Sequence, residues 1–342
     1  MDSSHTEKID LDPTDTATTI ASFPFNDMGA DLILRSSDGV DFYVHKPLLS
    51  LASPIFRDMF DIGQATQTFQ GGIPVVQMSE DSNVLHKLLV WCDPRSVPLP
   101  GQFTIDDISR VLSLTDKFMM EGIAGRVAML LSEYVEKQPA HVYALAYRGR
   151  GSWGVELMRA AAWQTLKSDF PHHTRVFDDI PANALMRLYE YRIDCITATQ
   201  SLISNGEWMR NCILSNFGHH SMQGSSCSCI TYYYKRDCTY VARWLVEYLA
   251  QAGNSLKEKP CREAIFLDLG HNVIKLWGKQ VAPMPYCKGP ECSARDLDDS
   301  KTRTSFSLFQ RAFANEIDRL TEKVLDTQLN SSERALTFSR SN

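Results

Sequence analysis

The sequence predicts an α+β unit over residues 26–137, a small sheet with a helical cluster, followed by an all-α region over 138–325. Three observations predict it. Apolar and polar residues alternate around residue 42, as in a half-buried strand. Apolar residues then recur at helical spacing as far as Tyr134. From Pro139 onward the periodicity stays helical, with no convincing pair of alternating strands. A chain of 342 residues, 44% of them hydrophobic, has length for about two domains and apolar surface for real cores.

Residues 1–25 are rich in Asp, Thr and Ser and show no apolar period, so they read as a disordered tail. Asp31-Leu32-Ile33-Leu34 and Val40-Asp41-Phe42-Tyr43-Val44 flank Asp38-Gly39, a hairpin whose glycine takes the positive φ that such turns require. Pro47 and Pro54 stand just inside two short helices, and Ser53 is placed to cap the second. Residues 61–72, with Gly63, Gly71 and Gly72, read as a loop. Ile73-Pro74-Val75-Val76 reads as a short strand, at an edge or with the proline near its start. The pairs Val84/Leu85, Leu88/Leu89 and Trp91/Cys92 form a helix that Pro94 stops. Ile108 to Met119 and Ile123 to Tyr134 give two more, separated at Gly122. Beyond Pro139 the clearest helices are His141 to Tyr147, Val155 to Leu166, Ala182 to Leu202, Cys238 to Gln251 and Phe306 to Val324. Residues 326–342 turn polar and read as a flexible tail.

A net charge of -6 leaves no broad basic footprint, so nucleic acid is not an expected partner. No apolar stretch reaches the length of a membrane span, and the first residues lack the charged and apolar regions of a signal peptide, so no membrane association and an intracellular location are expected. Nine cysteines, an odd number, argue against a disulfide framework, and Cys92 reads as a buried free thiol.

In order, Gly29-Ala30-Asp31-Leu32-Ile33-Leu34, Phe42-Tyr43-Val44-His45-Lys46-Pro47-Leu48-Leu49-Ser50 and Ser53-Pro54-Ile55-Phe56-Arg57-Asp58-Met59-Phe60 resemble the BTB/POZ family. The continuation Ile73 to Ser82 resembles the version found in fungal BTB proteins, many of which carry a helical extension. The resemblance implies a non-enzymatic protein-interaction module that associates with itself or with other BTB proteins, as an adaptor or scaffold. It also implies that Asp31, His45 and Lys46 belong to a charged pocket near the dimer interface, with purely structural roles as the alternative. A cullin scaffold is a further partner in many members. Those members place a hydrophobic-x-Glu motif after the Met-Phe helix, where this chain has Gln64-Ala65-Thr66 and no glutamate. The helical region would extend the domain or bind a protein partner of its own.

Two patterns suggest other chemistry. Gly149-Arg150-Gly151-Ser152-Trp153-Gly154 fits G-x-G-x-x-G, but a dinucleotide site needs a strand before it, and His141 to Tyr147 carries helix formers. A glycine-rich turn between two antiparallel helices is expected instead. Cysteine and histidine are dense in the C-terminal half, where His219, His220 and Cys238 accompany two close cysteine pairs. Those pairs, Cys227 with Cys229 and Cys287 with Cys292, are candidate ligands for a structural tetrahedral zinc in a zinc-stabilised regulatory scaffold. Free thiols in loops are the alternative, and no cofactor is expected otherwise. Lys235-Arg236 beside Tyr232-Tyr233-Tyr234 reads as a solvated loop edge.

Overall fold

The computed structural model describes residues 19–62, 68–99, 101–169, 175–204, 208, 211–212, 230–234, 239–266 and 300–339. The chain divides between Tyr134 and Val135 into two compact units.

The N-terminal unit carries a five-stranded sheet in the order β1-β3-β2-β5-β4. Its strands are β1 (Thr19–Ile20), β2 (Leu32–Arg35), β3 (Val40–Val44), β4 (Thr68–Gln70) and β5 (Ile73–Gln77). β2 and β3 form the expected antiparallel hairpin, and Gly39 turns it at a φ of 83°. Two expectations change. Thr19–Ile20 pairs in parallel with β3 and so belongs to the sheet rather than to a tail. Residues 61–72 contain β4, antiparallel to β5. Of the two placements expected for Pro74, the strand start holds: β5 is interior, between β2 and β4, and its proline is tolerated because pairing with β2 begins only at Val75.

Leu32, Ile33 and Leu34 are all fully buried, so β2 is covered on both faces. The same coverage buries Asp41, which alternation alone would place toward water. Its carboxylate is satisfied across the strand pair by Arg35, whose Nε and Nη2 reach it at 2.6 and 2.9 Å, and Arg35 also donates to Gln70 on β4.

The helices are α1 (Lys46–Ala52), α2 (Pro54–Ile62), α3 (Ser82–Leu89), α4 (Ile105–Lys117) and α5 (Glu121–Ala128), the last followed by a 3₁₀ turn over Met129–Tyr134. Ser53 caps α2 as expected, its Oγ accepting from the Phe56 amide at 3.1 Å while donating to the Phe118 carbonyl at 2.6 Å. α4 ends before Gly122, at a left-handed Met119 with a φ of 53°. The amides of Met119 and Met120 return to the carbonyls of Asp116 and Thr115, a Schellman closure in which a methionine occupies the usual glycine position. Gly122 instead lies inside α5, one residue past its start.

In the C-terminal unit α6 (Pro139–Arg148) and α7 (Gly154–Thr165) form a helical hairpin. They are followed by a 3₁₀ turn (Arg175–Asp179), α8 (Ala182–Ser204), α9 (Arg243–Glu258), a second 3₁₀ turn (Arg262–Ile265) and α10 (Ser300–Ser339). Among the described residues the region is helical, with one departure: β6 (Ile230–Tyr234) and β7 (Thr239–Ala242) pair antiparallel. Tyr, Ile, Val and Thr in these runs favour strand, which displaces the helix expected from Cys238 to an onset at Arg243. α10 continues to Ser339, through the segment expected to be loose, because no proline or glycine interrupts it. Tyr191, Tyr248, Phe309 and Phe313 are the largest fully buried side chains of this unit. Tyr248 meets Phe306 edge-on at 5.0 Å. No helix among the described residues is long and apolar enough to cross a membrane.

Candidate functional site

α1 begins where β3 turns out of the sheet, and Asp31, at the entrance to β2, provides its cap. The Asp31 carboxylate accepts from the backbone amide of Lys46 at 2.8 Å. Asp31 thus meets Lys46 through the main chain, while the Lys46 Nζ lies 5.9 Å from the centre of the Phe60 ring on α2. His45 is half-exposed, with Nε2 4.0 Å from Asp27.

Asp27 leads to a larger charged cluster that sequence reading missed. Arg95 donates to Asp27 at 3.1 Å, to the buried Asp93 at 2.7 Å and to the Pro24 carbonyl at 3.0 Å. The Arg95 guanidinium holds the Asp93 carboxyl below the usual carboxylate range; for Asp27 the Gly29 amide contributes most, with Arg95 adding to it. These bonds pin the segment leading from β1 to Asp31 against the loop after α3. Asp93 is two residues from Arg95, but Asp27 lies 68 residues away in sequence, so no local pattern announces the cluster as a whole.

The same segment inserts the buried Phe25 beside Phe42, and His86 of α3 meets Phe25 edge-on at 5.4 Å. Burial, with the adjacent Lys87 second, pushes the His86 pKa below its ordinary value. The unfolded chain then takes up this proton first as pH falls. The stability contribution of the neutral ring is whole above about pH 6.5 and is lost as pH drops through the lower folded value. Melting curves between about pH 7.5 and 5.5 are expected to fall more steeply for the natural protein than for His86→Gln. Parallel curves would contradict this role. The depressed carboxylates Asp27 and Asp93 titrate below that window.

Large apolar side chains of this unit stand in water. Phe23 and Met28 on the entering segment, Leu51 on α1 and Ile55 on α2 are all exposed, and Leu51 is 88% exposed. Met119, held by its left-handed backbone, is exposed beside Phe118, whose carbonyl Ser53 binds between Leu51 and Ile55. Exposed large apolar side chains of this kind on α1, α2 and the entering segment have the character of an association surface.

The remaining candidates sort by position. Cys92 is a half-buried free cysteine whose thiol burial raises to about 12, which makes it inert at neutral pH. The element before Gly149 is helix α6, so the strand that a dinucleotide fingerprint needs is not there. The glycines serve close packing instead: Trp153 covers Gly149, and Gly154 lies against the Ala146 carbonyl. Cys227, Cys229, Cys287 and Cys292, together with His219, His220, Cys238, Lys235-Arg236 and Gln64-Ala65-Thr66, lie outside the described residues. Among the described residues no three His, Cys, Asp or Glu side chains gather as metal ligands.

Residues 25–134 match the family model of the BTB/POZ domain. No curated protein matches the chain.

Proposed function

We propose that the BTB/POZ domain formed by residues 25–134, a member of a protein-interaction family, pairs this chain with a second copy or with another BTB protein. The protein on this reading is an adaptor or scaffold that performs no chemistry of its own. The observation that carries it is the exposure of large apolar side chains on α1, α2 and the entering segment, above all Leu51. Leaving such a side chain in water forgoes about 1.5–3 kcal/mol that a partner surface would recover. On this reading Asp31, His45 and Lys46 add polar contacts to the pairing, and the Asp31 cap fixes the direction in which α1 presents Leu51.

Leu51→Asp tests the reading without touching the core. Size-exclusion chromatography with light scattering is expected to show the variant shifted to monomer, with an unchanged far-ultraviolet circular dichroism spectrum and a melting temperature that no longer depends on protein concentration. A variant that associates as the natural chain does would remove Leu51 from the interface.

A further inference from the structure

α8 shows two faces. Ala184, Leu188, Tyr191, Arg192, Cys195, Thr199 and Leu202 are buried, as an amphipathic helix requires. On the other side Met186, Tyr189 and Ile193 are 52%, 45% and 42% exposed. Their spacing of i, i+3 and i+7 aligns them in one stripe. The carboxylate of Glu190 is exposed one turn from both Met186 and Ile193, and that of Asp194 a turn further on, where it accepts from Gln328 at 2.8 Å. Asp179 is exposed just before the helix starts. Of the α8 cations, Arg192 is buried and Arg187 is half-buried. An apolar seam with an acidic rim therefore stands on a long, well-anchored helix.

We propose that this stripe docks an amphipathic helix from a partner protein, one that carries basic residues beside its own apolar seam. Three half-exposed side chains offer a few hundred Å², well short of the roughly 800 Å² that each side of a standard interface buries. That area suits one helix laid along α8 rather than a whole domain. A second copy of this chain is the poorer occupant, because pairing α8 with itself about a two-fold axis sets Glu190 against Glu190. The inference does not rest on the proposed pairing of BTB domains.

The test uses the full chain and a fluorescent amphipathic peptide of about 18 residues, with leucines at i, i+3, i+4 and i+7 and lysines beside them. Saturable binding by anisotropy is expected at low salt, and the same peptide with glutamates in place of the lysines is expected not to bind. The double substitution Met186→Ser with Ile193→Ser, and separately the surface substitution Glu190→Lys, should each weaken binding about tenfold or more. Leu51→Asp should bind the peptide normally, which separates this inference from the proposed pairing. Absence of binding by the lysine peptide, equal binding by the glutamate peptide, or unchanged affinity in Glu190→Lys would overturn it.

Discussion

Replacing Arg192 by leucine is expected to destabilise the C-terminal unit by on the order of 4 kcal/mol. The side chain rises from α8 into a nearly dry space and gathers the ends of two other helices. Its Nη1 donates to the carbonyls of Thr165 and Ser168, at 2.8 and 2.9 Å, where α7 ends. Its Nη2 donates to the carbonyl of Glu258, where α9 ends. A helix leaves its last carbonyls without internal donors and carries partial negative charge there, so one buried guanidinium satisfies two such ends and complements their dipoles. Burial lowers its pKa from the ordinary arginine value, yet a guanidinium stays charged at neutral pH. Leucine fills part of the space and leaves three carbonyls without this donor. Arg192→Lys should recover part of the loss, because an ammonium lacks the planar fork that reaches both helix ends. Urea unfolding decides the matter: a leucine variant within about 1 kcal/mol of the natural protein would show that the carbonyls find other donors.

Gly154→Ala is expected to cost about 3 kcal/mol, for steric rather than polar reasons. A Cβ at this position would stand 1.9 Å from the Ala146 carbonyl oxygen and 2.7 Å from the Gly149 carbonyl carbon, both main-chain atoms that no rotamer change can move. The Gly154 amide also donates to the Gly149 carbonyl at 2.8 Å, so the turn is closed on itself and α7 cannot simply slide. Alanine would force α6 and α7 apart along their shared surface. Gly149→Ala should be milder, because its Cβ would meet the Trp153 ring, a side chain that can rotate. If Gly154→Ala melts with the natural protein, the close approach of the two helices is not required for their packing.

These two residues show what the sequence discloses and what it conceals. Gly149 and Gly154 stand out as a motif, and the helical periodicity of residues 141–147 and 155–166 already points to a turn between helices. Which glycine matters depends on the approach of a carbonyl from the preceding helix, which no one-dimensional pattern carries. Arg192 lies between Tyr191 and Ile193 with nothing to distinguish it from a surface arginine, since its acceptors are main-chain carbonyls 24 to 66 residues away. Strand β3 teaches the same lesson. Phe42 and Val44 announce it, while the burial of Asp41 and its pairing with Arg35 are made only when β2 and β3 come together. β4 and the β6–β7 hairpin escaped notice because three to five residues are too few to establish a period. The site divides similarly: Asp31 and Lys46 are legible through a family pattern, whereas the Arg95 cluster that anchors the entering segment is made only by folding.

The exposed side chains Leu51, Ile55, Phe23 and Met28 serve association only if something covers them. Sedimentation equilibrium of the natural 342-residue chain, from about one to tens of micromolar, with and without a second BTB protein, addresses this directly. A molecular mass of two copies, or a mixed complex with the other BTB chain, is the predicted result. A chain that stays at the monomer mass of 38.6 kDa throughout, and forms no mixed complex, would contradict association through this domain.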